Sequence, residues 1–142
     1  MNHQKKAERI VKKMYDGDAF SQWLGIDVIS VSPGSAILEL KVRDDMTNGF
    51  SIAHGGITYS LADSALAFAS NSHGRKSVSI ETSISHLEPV KSGDTLKAEA
   101  IEIKTSNRIG CYRIEIKNQV NVLVATFNGT VYRTPKEWEL EV

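Results

Sequence analysis

Residues 48–71 read NGFSIAHGGITYSLADSALAFASN. A polar loop carrying Gly49 tightens into His54-Gly55-Gly56, and from about Gly56 to Asn71 the chain is small or apolar without a proline, which predicts a long helix. Ser72-His73-Gly74 then supplies a glycine just past the last turn. Between Gly49 and His73 the only acidic or basic side chain, histidine aside, is Asp63. On a wheel of about 100° per residue, Ile57, Leu61, Ser64, Ala65 and Phe68 share one side, the side expected to meet the rest of the fold. Asp63 falls on roughly the opposite side with Gly56, Ser60, Ala67 and Ser70, with Tyr59 and Leu66 further round.

Upstream, Ala7, Ile10, Val11 and Met14 lie on one face of a predicted helix over about 4–16, with Lys5, Lys6, Lys12 and Lys13 elsewhere on it, and Asp16-Gly17-Asp18 ends it. Leu24–Ser32 and Ala36–Val42 are predicted strands. Pro33 and Gly34 between them occupy the central positions of a type II turn, so the pair is expected to form a hairpin. Downstream the period changes to two: from Ser77, the apolar Val78, Ile80 and Ile84 alternate with polar residues until Pro89. Further strands are expected over Leu96–Lys104, Ile109–Lys117 and Asn121–Arg133, and Val122-Leu123-Val124-Ala125, apolar on both faces, near the middle of a sheet. Trp138 sits in an acidic tail with no assigned element. One helix this apolar cannot be hidden unless a sheet wraps around it. The expected fold is therefore an α+β hot-dog fold: a long central helix wrapped by a six-stranded antiparallel sheet, with a short N-terminal helix, in one domain spanning 1–142.

Lys plus Arg and Asp plus Glu each number 17, so bulk charge recruits no nucleic acid. The sequence carries no stretch with the length and hydropathy of a signal peptide or membrane span, and a cytoplasmic setting is expected. The N-terminal helix is basic, but it is short and lacks bulky aromatics apart from Tyr15, so it is read as packed on the domain rather than on a membrane. A lone cysteine, Cys111, is expected to be a structural thiol in a strand. The four histidines show no metal-ligand spacing, so neither metal nor cofactor is expected.

An acid on the outer face of a helix is ordinarily solvated. Asp63 differs in its surroundings: glycine, serine and alanine leave space beside the carboxylate, which suits a ligand or a second subunit. The Gly55-Gly56 pair adds a second element, because first-turn N–H groups lack intrahelical acceptors and glycine allows a carbonyl oxygen to approach them closely. An oxyanion formed during attack on a carbonyl would be held there.

Asn48, then His54-Gly55-Gly56, then Asp63, together with the Leu-Ala-Asp-Ser run, Leu87-Glu88-Pro89 and Gly93-Asp94-Thr95-Leu96, resemble the hot-dog acyl-CoA thioesterases of the phenylacetic-acid-degradation (PaaI) type. The resemblance implies hydrolysis of an aryl- or medium-chain acyl-CoA to a free acid and coenzyme A. Asp63 would either activate water or attack the thioester itself. Gly55 would supply the oxyanion-binding N–H, Asn48 would position water or thioester, and His54 would hold the loop and the carbonyl region. Ser79 matches a serine that positions substrate or water in some related enzymes, although the strand period puts it on a polar face. Another branch carries Glu at the acid position and a threonine four residues later; Asp63 and Ala67 here favour the PaaI branch. Gly56 and Ala67 would face the substrate. Lys91, Lys104 and Arg108, at turns, are candidates for the coenzyme A phosphates, and equally for simple solvation. The neutral Asp63 face is expected to form a homodimer interface with active sites built from both chains, and the resemblance implies pairing of dimers into a tetramer. A non-catalytic acyl-CoA-binding module is the alternative, distinguished by its lack of need for an acid.

Overall fold

A computed structural model of the chain describes residues 1–141. Its centre is α3, Gly55–Asn71, which the sheet wraps. Preceding it are α1 (His3–Asp16), α2 (Ala19–Leu24), β1 (Asp27–Ser32), β2 (Ser35–Lys41) and a 3-10 turn, Asp44–Met46. After it come β3 (Arg75–His86), β4 (Thr95–Thr105), β5 (Ile109–Lys117) and β6 (Leu123–Glu137). The six strands form one antiparallel sheet in the order β1-β2-β4-β5-β6-β3, which is the hot-dog arrangement expected.

The hairpin forms as its turn chemistry requires. Ser32 pairs with Ser35 across Pro33-Gly34, and Gly34 takes φ +81°, the left-handed conformation a type II turn demands at that position. The predicted strand from Leu24 starts three residues late. Residues 19–24 are instead a second helix, which Asp18 caps by accepting from the Ser21 N–H at 2.9 Å and Gly25 ends at φ +76°. A cap residue and a left-handed glycine bracket one and a half turns, and that local chemistry overrides the strand-like apolar residues that follow.

The wheel correctly puts Leu61, Ala65 and Phe68 in the core, but the helix is covered on more of its circumference than one face. Leu66, placed towards the Asp63 side by the wheel, is 1% exposed and lies on β6, where a Cβ added to Gly129 would meet its Cδ2 at 2.5 Å. Ser64, assigned to the sheet, faces α2 instead: its hydroxyl meets that of Ser21 at 2.8 Å. Burying side chains such as Leu61, Leu66 and Phe68 against the strands stabilises the fold by about 1.5–3 kcal/mol each.

Two expectations about the sheet change. The alternation in β3 does not hold along the strand, because the register with β6 shifts between Ser79 and Glu81. Val78 pairs with Tyr132 on the outer face, whereas Ile84 pairs with buried Phe127 on the helix side, so the apolar residues do not share a face. Ser79 pairs with buried Val131, which turns it towards the helix side rather than to a separate polar face. The Val122–Ala125 run is not central. Val124 and Ala125 are buried, but β6 is one strand from the edge formed by β3, and Val122 precedes the strand and is exposed.

The C-terminal end of α3 is fixed by a residue without a sequence signal of its own. Asn71, 2% exposed, donates to the carbonyls of Ala67 and Ser77 and accepts from the Ser77 N–H and the Trp138 indole N–H at 2.9 Å. All its hydrogen-bonding capacity is used inside the protein, as burial of an amide requires. Trp138 thereby ties the tail to the helix, and Lys76 lies over its ring.

Candidate active site

The segment between the 3-10 turn and α3 is organised by Asn48. Its Oδ1 accepts from the Phe50 N–H at 2.9 Å and more distantly from that of Ile52, an Asx turn that allows Ser51 its positive φ. Among the described residues its side-chain NH2 has no partner, so Asn48 is a turn residue with a donor to spare. The loop is then pinned to the body of the protein by Ala53 N–H to the Val90 carbonyl (2.7 Å) and His54 N–H to the Met46 carbonyl (2.8 Å).

His54 is the N-cap of α3. Its Nδ1 accepts from the Gly56 N–H at 2.8 Å, and the Gly56 carbonyl accepts from the Ser60 hydroxyl at 2.7 Å. Gly56 therefore has no free N–H. The Gly55 N–H meets no acceptor among the described residues, and of the two glycines it is the one able to hold an oxyanion. A cleft of about 320 Å³ opens beside it, lined by Asn48, Gly55, Thr58, His86, Glu88 and Val90 among others. His86 was missed by sequence reading. Its ring stands over Gly55, with Nε2 at 3.2 Å from the place a Cβ would occupy, a proximity between the end of β3 and the start of α3 that no local pattern announces. A larger cleft, about 540 Å³ between α1 and β1, contains none of these groups.

Asp63 is half-buried, and among the described residues no group hydrogen-bonds its carboxylate. Burial raises its pKa above the usual carboxylate value, and the negative charge of Asp18 raises it further. Asp18 reaches this neighbourhood through α2: it accepts from the Ser21 hydroxyl at 2.6 Å, which in turn meets Ser64, the residue after Asp63. Nothing in the sequence pattern couples the two acids. Ala67, one turn beyond Asp63, is also half-buried, and Ser79 is exposed on the helix side of the sheet edge.

Asp63 does not line the cleft at Gly55. The two residues are eight positions apart on one continuous helix, a separation of about 12 Å along the axis at 1.5 Å per residue. A carbonyl carbon and its oxygen lie about 1.2 Å apart, so within one chain the Gly55 N–H and the Asp63 carboxylate are too far apart along the helix to touch one carbonyl directly.

The candidate cations are dispersed as well. Lys91 lies beside Val90 at the cleft, just before β4, whereas Lys104 and Arg108 sit around the far turn of the same strand. The nine residue steps from Thr95 to Lys104 span about 30 Å in a strand. One chain does not gather all three around a single ligand. No cluster of metal-ligating side chains occurs among the described residues. Cys111 is partly buried in β5, 4.0 Å from the Thr130 hydroxyl.

Comparison with known proteins gives a consistent picture. The profile of the thioesterase superfamily matches residues 50–125, which include Gly55, Asp63 and Ser79. The acyl-coenzyme A thioesterase PaaI of Escherichia coli is 41% identical over 133 residues, 94% of each chain. Human acyl-coenzyme A thioesterase 13 is 29% identical over 113 residues, covering 78% of this chain and 81% of that one. The solved structure of the E. coli PaaI protein from the phenylacetic acid degradation operon superposes with a TM-score of 0.94 at 39% identity, covering 96% of this chain and 99% of that one.

Proposed function

The chain belongs to the thioesterase superfamily, and from that premise we propose that it hydrolyses an aryl- or medium-chain acyl-CoA to the free acid and coenzyme A, with Asp63 as the base. The observation that carries this reading is Asp63 itself: a half-buried carboxylate amid small residues, with no protein partner and with burial raising its affinity for a proton.

The reaction needs no group that the chain lacks. The Asp63 carboxylate takes a proton from a water molecule as its oxygen attacks the thioester carbonyl carbon. The carbonyl π-electrons move onto oxygen, and the Gly55 N–H holds the resulting oxyanion, an interaction worth about 3–4 kcal/mol when lost from comparable sites. As the carbonyl re-forms, the C–S bond breaks and the departing thiolate takes the proton from Asp63. Asn48 uses its free NH2 to place the water or the carbonyl, and His54 keeps the Gly56 N–H occupied while fixing the turn that presents Gly55. Gly56, Ala67 and Ser79 form walls for the substrate.

The 12 Å separation along α3 supports a site shared between two chains, Asp63, Ala67 and Ser79 of one with Asn48, His54 and Gly55 of the other. Self-association is further supported by β3, an edge strand presenting Val78 at 57% and Ile80 at 59% exposure. The dimer, and pairs of dimers, would bring Lys91 of one chain and Lys104 or Arg108 of another to different parts of the coenzyme A. A panel of acyl-CoAs assayed for thiol release, with free thiol detected for at least one aryl or medium-chain thioester, supports the proposal. Tight binding of acyl-CoA without thiol release would identify a binding module instead. Turnover in heavy-oxygen water separates the two roles of the acid: label in Asp63 means that the carboxylate attacked the carbonyl.

A further inference from the structure

We propose that His86 is a second oxyanion donor, its imidazole N–H binding the thioester carbonyl oxygen together with the Gly55 N–H; this rests on the assignment of Gly55 and Asp63 above. His86 closes β3 at the point where the strand passes over the start of α3. Its ring lies against Gly55 because that residue has no side chain: Nε2 and Cε1 are 3.2 and 3.3 Å from where a Cβ would be. Covalent geometry puts the Gly55 nitrogen about 2.5 Å from that same point, so the two nitrogens are no more than about 6 Å apart. That separation suits two donors approaching the two lone pairs of one carbonyl oxygen at ordinary hydrogen-bond lengths.

Three further features favour this role over packing alone. Neither ring nitrogen of His86 has a hydrogen-bond partner among the described residues, whereas His54 is committed to Gly56 and His73 to Glu102. The ring lines the cleft that also contains Asn48 and Gly55, and Nε2 and Cε1 form the edge nearest Gly55. The side chain is exposed in the single chain, so it does not serve as core filling. A lone N–H leaves the other lone pair of the carbonyl oxygen unpaired as negative charge develops on it, and a second donor relieves that.

The test compares His86→Phe, which keeps a ring but no donor, and His86→Gln, which keeps a donor, with the wild type and Asp63→Asn. The substrate is phenylacetyl-CoA, and a thioether analogue lacking the carbonyl oxygen serves as binding probe. His86→Phe is expected to lose about a hundred- to a thousandfold in kcat, on the scale of one oxyanion donor, with KM changed little. His86→Gln should recover part of the loss, and all His86 variants should bind the thioether with wild-type affinity. Wild-type kcat in His86→Phe alongside an inactive Asp63→Asn overturns the role of His86 alone. A loss in His86→Phe matched by an equal loss of thioether affinity also overturns it, since the ring would then only shape the cleft. Full activity in Asp63→Asn overturns the assignment on which the role of His86 rests.

Discussion

If each active site takes its carboxylate from one chain and its oxyanion donor from another, two inactive variants must rescue each other. Asp63→Asn removes the base and Asn48→Ala removes the free amide from the Gly55 end of the site. Along α3 Gly55 and Asp63 are eight residues apart, about 12 Å at 1.5 Å per residue, which favours the proposed sharing of each site between two chains. Mixing the two purified variants in equal amounts, after mild dissociation and reassociation, gives mixed dimers as about half of the population by random pairing. In a mixed dimer one site combines both lesions and the other is wild type, so thiol release should recover to about a quarter of the wild-type level. The assay is acyl-CoA hydrolysis before and after exchange, with each variant alone taken through the same procedure. Activity that stays at the mean of the two parents after demonstrated subunit exchange would refute the shared site.

Other consequences are local. Gly129→Ala drives a methyl into Leu66 Cδ2, 2.5 Å away in a side chain 1% exposed, and should cost about 1–3 kcal/mol of overpacking, read as a lower urea midpoint with unchanged slope. Asp18→Asn keeps a competent helix cap but removes the negative charge that raises the pKa of Asp63, so the acidic limb of kcat/KM should move to lower pH. An unmoved limb would mean that another group controls it. Because burial raises the pKa of Asp63 in the folded state, the folded chain holds that proton more tightly than the unfolded one. Stability contributed by the protonated acid is lost as pH rises from about 3.9, the ordinary carboxylate value, through the raised folded value. Asp63→Asn should therefore melt at a higher temperature than wild type at neutral pH, and the difference should shrink on acidification.

Local chemistry made much of the fold legible. Pro33-Gly34 fixed a hairpin, His54-Gly55-Gly56 marked a helix start, and the change from helical to alternating period separated α3 from the later strands. α2 escaped because its six residues are short and run straight into Ile26-Asp27-Val28, although Asp18 and Gly25 bracket it. The face assignments in β3 failed because a bulge inverts alternation without any marker in the sequence. The same division holds at the site. Asp63, Gly55 and Asn48 stand out by type and spacing, but the coupling of Asp18 to Asp63, the ring of His86 over Gly55, and the anchoring of Asn71 by Trp138 come from contacts between distant segments. The lysines and arginine at turns were indistinguishable from ordinary solvated charges, and their separation along β4 appears only once the strand is built.

The role of Asp63 is tested most directly by the single-turnover rate of acyl-CoA hydrolysis in Asp63→Asn, in protein shown to be folded and to bind the substrate. The proposed mechanism predicts a loss of more than about a hundredfold, the scale of a missing general base, with substrate affinity retained. Hydrolysis at the wild-type rate would contradict it.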